Sequence, residues 1–180
     1  MTGGTLKQLA TAVIVSLTAA ACASTAPSSF GDGDLATGGR IERPATPLEC
    51  APYARARSGI PIYGDAYTWW DQAAGHYLRS TGPKRGAVLV LDRYAGPTRA
   101  HLAVVRTVSS SRRIRVDHAN WLDDGAIYLN DPVMDVSPDN DWSVVRVFNL
   151  STGAWGGRIY PVRGFIGPEG DGTTVARNSQ

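Results

Sequence analysis

Pro47-Leu48-Glu49-Cys50-Ala51-Pro52-Tyr53-Ala54-Arg55 decides how the rest of the chain is read. Pro47 and Pro52 discourage helix before the cysteine and tolerate it in the first turn after, so a helix is predicted to begin at or next to Cys50 and to run to about Arg57. Unsatisfied backbone N–H groups and the positive end of the helix dipole there favour a thiolate, the form of cysteine that attacks. Cys50 is thus a candidate nucleophile. It needs an imidazole, a group to orient that imidazole, and a groove.

Upstream, Met1 to Ala21 carries one basic residue, Lys7, and an apolar run from Leu9 to Ala21 that is short for a membrane span. Residues 1–23 read as a signal peptide. Ala21-Cys22-Ala23 fits an ordinary small-x-small cut before Ser24, and Leu17-Thr18-Ala19-Ala20-Ala21-Cys22 also fits a relaxed lipoprotein cut after residue 21, which would place a lipid anchor on Cys22. Residues 24–46, rich in Ser, Thr, Gly, Pro and Ala, read as a flexible linker. With the signal region set aside, Cys50 is the one remaining cysteine, which speaks against a disulfide-stapled domain and for a working thiol. Over the 180 residues the net charge is +2 and no long basic run occurs, so nucleic acid is not an implied partner. A composition 43% hydrophobic supports one core, and a monomer is expected.

Downstream of the first helix, Asp65 is placed to cap a second helix, with Ala66, Trp69, Trp70 and Ala73 at helical spacing and Gly75 closing it. The pattern then turns to strands. Ala87 to Leu91 is a continuous apolar run. Ala100 to Val108 alternates, with His101, Ala103, Val105 and Thr107 on one face, and Ile114 to Trp121 alternates again, with Ile114, Val116, His118 and Asn120 on one face. Paired as a hairpin about Ser109–Arg113, the two strands bring His101 opposite or diagonal to His118 and Asn120, with Cβ atoms roughly 5 to 8 Å apart. Further strands are expected at Ala126–Leu129, Ser143–Phe148 and Gly157–Val162, with turns at Asp131-Pro132, Pro138-Asp139-Asn140 and Gly153. Residues 169–180 read as a disordered tail. Two helices followed by antiparallel strands make an α+β domain over 47–168.

A cysteine hydrolase uses a nucleophile, an imidazole within hydrogen-bond reach and a third group that holds the ring. Cys50, His101 and either His118 or Asn120 fit those roles; their spacing does not fit a structural zinc site, and no cofactor is implied.

Glu49-Cys50-Ala51-Pro52-Tyr53-Ala54-Arg55, Gly64-Asp65-Ala66-Tyr67-Thr68-Trp69-Trp70, Gly86-Ala87-Val88-Leu89-Val90, His101-Leu102-Ala103-Val104-Val105 and Asp117-His118-Ala119-Asn120-Trp121 together resemble the successive blocks of CHAP domains, the cysteine, histidine-dependent amidohydrolase/peptidase branch of the NlpC/P60-like papain fold. The resemblance implies N-terminal helices packed on a central antiparallel sheet. It also implies a cell-wall hydrolase cutting an amide of peptidoglycan, at the sugar–peptide junction or within the stem peptide, in a periplasmic, outer-membrane-anchored or extracellular setting. Position by position, Cys50 matches the nucleophile, His101 the base, His118 the third polar position and Asn120 an asparagine that follows it. Many CHAP domains carry glutamate where His118 stands, so the third role is left between His118 and Asn120. The alternative from another class is a catalytically silent wall-binding module on the same fold.

Overall fold

The computed structural model describes residues 1–3 and 38–167; the rest of the signal segment, Cys22 and its cleavage sites, most of the linker and the 169–180 tail lie outside the described residues. The chain divides into Met1–Phe30 and Gly31–Gln180, and every element below belongs to the second unit.

Helix α1, Cys50–Ser58, begins where the prolines predict. Glu49 precedes it in extended conformation, and Gly59 ends it in the left-handed region, with its N–H donating to the Arg55 carbonyl. The second predicted helix is shorter than its spacing suggests. Ala66–Thr68 forms a 3-10 turn that runs into α2, Trp69–Gln72. Asp65 makes no side-chain cap; instead its backbone carbonyl accepts from both the N–H and the hydroxyl of Thr68, which tightens the turn. Of the two tryptophans only Trp69 is in the core, while Trp70 is half-buried with its ring over Gly164 and beneath the Arg79 guanidinium.

Among the described residues nine strands follow or flank these helices: β1 Arg40–Glu42, β2 Arg79–Ser80, β3 Val88–Leu91, β4 His101–Ser110, β5 Arg113–Ala119, β6 Ile127–Asp135, β7 Val144–Asn149, β8 Ala154–Trp155 and β9 Tyr160–Ile166. Every pairing is antiparallel, in the order β6-β5-β4-β3-β9-β7, and β7 pairs back onto β6. The α+β class is as predicted, but the central sheet closes into a six-stranded barrel rather than staying an open papain-like sheet. Irregular register at Val90/Leu91, Val105/Thr107 and Val116/His118 bends the strands enough to bring the two ends together, leaving only the short β1, β2 and β8 outside the ring. The sheet also begins earlier than residue 47, since Arg40–Glu42, inside the stretch read as linker, pairs with Ile127–Leu129.

Alternation sorts the side chains into two cores. Leu89, Leu91, Ala103, Val105, Val116 and Phe165 fill the barrel, while Val88, Val90, Leu102, Val104 and Ile166 face outward and are covered by Ala51 and Ala54 of α1 with Ile60 and Trp69. Asp131-Pro132 is no turn but the middle of β6. Pro132 lies between the β1 pairing, which stops at Leu129, and the β7 pairing, which starts at Val133, so no outer strand misses its absent N–H.

Candidate active site

The approach to Cys50 is held by Asn120 and Gly125. Leu48 N–H donates to the Gly125 carbonyl at 3.0 Å, Gly125 N–H donates to Asn120 Oδ1 at 2.8 Å, and Asn120 Nδ2 donates to Glu49 Oε2 at 2.9 Å. Both Asn120 (φ 59°) and Gly125 (φ 65°) take left-handed backbone, which these two residue types tolerate best. At the end of this clamp, Cys50 is a free, half-buried cysteine on the wall of an open groove of about 600 Å³. Glu49, Asp65, Tyr67 and Arg99 share the wall, and neither Trp69 nor Trp70 lines it.

His101 opens β4 on the barrel side of the sheet and is 2% exposed, boxed by the rings of Tyr94 and Trp121 at centroid distances of 5.0 and 4.9 Å. The predicted hairpin brings the two histidines together: His101 Nε2 lies 2.9 Å from His118 Nδ1. Asn120, the other candidate for the third role, turns instead to Glu49 and Gly125. One residue escapes sequence reasoning. Asp131 of β6 sets Oδ2 3.0 Å from His118 Nε2, extending the pair into a buried row of three, with His118 1% and Asp131 0% exposed.

Asp131 escapes because strict alternation would put it on the face opposite Tyr128. Asn130, at φ 55°, interrupts β6, and the β5–β6 register slips between Val116 and His118, so both residues come to His118. A run Tyr-Leu-Asn-Asp-Pro within a strand, with an asparagine suited to positive φ, was the available signal.

Residues 42–120 match the family model for the CHAP domain. Over that span the chain is similar to CHAP domains. No curated protein matches the sequence. The matched span of the CHAP domain takes in Cys50, His101 and His118 and ends on Asn120, so Asp131 lies beyond it.

Over the matched span the electrostatics depart from the thiolate expected at a helix start. Burial pushes the Cys50 thiol up; the backbone at Leu102, Ala51 and Cys50 itself pulls the other way, and the Glu49 carboxylate adds to the rise. Burial, and after it the neighbouring His118 ring, holds His101 well below the usual histidine range. Desolvation outweighs the helix end, so sulfur and ring are both neutral at rest. Among the described residues no hydrogen bond joins Cys50 to His101. The sulfur instead meets the backbone of Leu102, the next residue, at the end of β4 before its pairing with β5 begins at Val104. The Tyr94 ring packs on His101, its hydroxyl donates to the Trp121 carbonyl, and burial, with a smaller contribution from Tyr160, pushes its phenol up to about 12. Among the described residues, no three His, Cys, Asp or Glu side chains gather in a way that would hold a metal ion.

Proposed function

We propose that this protein is an exported cysteine hydrolase of peptidoglycan amides, acting as an N-acetylmuramoyl-L-alanine amidase or a stem-peptide endopeptidase. The observation that carries the proposal is the placing of Cys50 at the start of α1 on a groove wall, beside the strand end that bears His101, in a chain whose residues 42–120 match the CHAP family. Cys50 Sγ attacks the amide carbonyl carbon as its proton passes to the His101 imidazole. The N–H of Cys50 faces the developing oxyanion, and His101 then gives the proton to the leaving amine, freeing it and leaving a thioester. Water, deprotonated by the same ring, hydrolyses the thioester and restores the thiol. A resting neutral pair suits this sequence, since the proton moves only as the sulfur bonds to carbon. A groove wall with Glu49 and Asp65 on one side of the charge balance and Arg99 on the other suits a peptide that carries both signs of charge.

Export rests on the apolar run before Cys22, and the peptidoglycan substrate rests on the family. The test is turnover. Purified mature protein incubated with sacculi should release new free amino groups, and Cys50→Ala should abolish the release while keeping the far-UV circular dichroism of the parent; an alanine variant as active as the parent would refute the proposal. The second reading, a silent wall-binding module, is favoured by one observation, the raised thiol without a hydrogen bond to His101. It requires retention on sacculi with no product from the parent itself.

A further inference from the structure

Asp131 is a fully buried carboxylate with one oxygen 3.0 Å from His118 Nε2, and its other oxygen, Oδ1, has no hydrogen-bond partner among the described residues. A carboxyl group in such a place costs free energy that an apolar side chain would not, and an unpartnered buried oxygen calls for a reason. The reason lies in the direction of the protons. An ionised carboxylate can only accept, so His118 Nε2 carries the proton between them. With one proton to each ring, His118 Nδ1 is then a lone pair. That nitrogen lies 2.9 Å from His101 Nε2, which must therefore be the donor. His101 Nδ1, the one nitrogen outside the row, keeps its lone pair and is the base left for the Cys50 proton.

The contact between the two rings does not choose this direction by itself. With both protons on Nδ1, His118 would donate to His101 Nε2 and the pair would be equally well bonded, but His101 would then offer an N–H and no base. Only the group at the far end separates the two arrangements. We infer that Asp131 is a positioning residue that fixes His118 and His101 as Nε2–H tautomers and so makes His101 Nδ1 the proton acceptor of the site. Burial pushes the Asp131 carboxyl up, and its hydrogen bond with His118 and, after that, Arg115 of β5 pull it back towards the ionised form; Tyr128 of β6 packs on the His118 ring and holds it in place.

The kinetic part of this inference rests on the hydrolase proposal, whereas the tautomer part does not. The test is a long-range proton–nitrogen NMR spectrum of the full-length protein, labelled with ¹⁵N-histidine and recorded at neutral pH, for the parent, Asp131→Asn and Asp131→Leu. The parent should show His101 and His118 both protonated on Nε2. In the variants His118 should move towards the Nδ1–H form with His101 following, and kcat on sacculi should fall about 10- to 100-fold with KM retained. A parent with His118 protonated on Nδ1, or tautomers unchanged in both variants, overturns the inference; should the variants not fold, the parent spectrum decides alone. A parent with the stated tautomers but no turnover refutes the hydrolase proposal and leaves the Asp131 assignment standing.

Discussion

Cys50 and His101 are each more buried than a nucleophile and base drawn from sequence would be, and their protonation follows from that. Because burial pushes the Cys50 thiol up, its alkylation by iodoacetamide should have a pH midpoint above the free-cysteine value of about 8.5; a midpoint below that would mean a pre-formed thiolate and contradict the neutral resting pair. His101 makes a second prediction, on stability. Its folded value lies below the unfolded value of about 6.5, so as pH falls through that value the unfolded chain takes up a proton that the folded chain refuses. Resistance to urea should therefore decline from about pH 6.5 downwards, and His101→Gln should flatten the decline; an equally steep decline in the variant would count against it. The choice of Cys50 was legible because two prolines and a solitary mature cysteine mark it in one dimension. Its protonation was not, since it depends on how far the fold buries the sulfur and on the backbone of Leu102, which only the fold brings near.

At the scale of elements, the hairpin of β4 and β5 was readable from period-two alternation, and it delivered the His101–His118 contact. The start of α1 was readable from its prolines. What alternation could not carry was any stretch where the period breaks: the bulge at Asn130 hid Asp131, and a proline tolerated between two outer partners was read as a turn. The role of Asn120 was hidden for a related reason, since its left-handed backbone turns the side chain towards Glu49 and Gly125. This clamp can be tested through Gly125. A Cβ built there would lie 2.4 Å from Pro47 Cβ and 2.9 Å from Pro47 Cα, at a φ of +65° that side chains resist. Gly125→Ala should therefore displace the lead-in to α1, lower stability by roughly 1–3 kcal/mol in denaturant titration, and reduce kcat by up to about 100-fold through a misplaced sulfur. A variant unchanged in both would show that the clamp does not set the position of Cys50.

Across the whole molecule, the α+β class and the likeness to CHAP domains were legible because the informative blocks run in order from Glu49 to Trp121. The closure of the barrel was not, because it depends on β9 returning to β3 across some seventy residues of chain and on the far half of β6 reaching β7. Closure matters for the site, since it seals His101, His118 and Asp131 inside while α1, packed on the outside, leaves its first residue on the groove. One measurement addresses that division directly. The full-length protein is mixed with a soluble disaccharide–peptide, quenched in acid within the first turnover, digested, and the peptide containing Cys50 is weighed. The expected result is a mass increase equal to the acyl portion of the substrate, on Cys50 alone, absent from Cys50→Ala and strongly reduced in His101→Gln. Release of product with the Cys50 peptide always unmodified, and with Cys50→Ala as active as the parent, would contradict it.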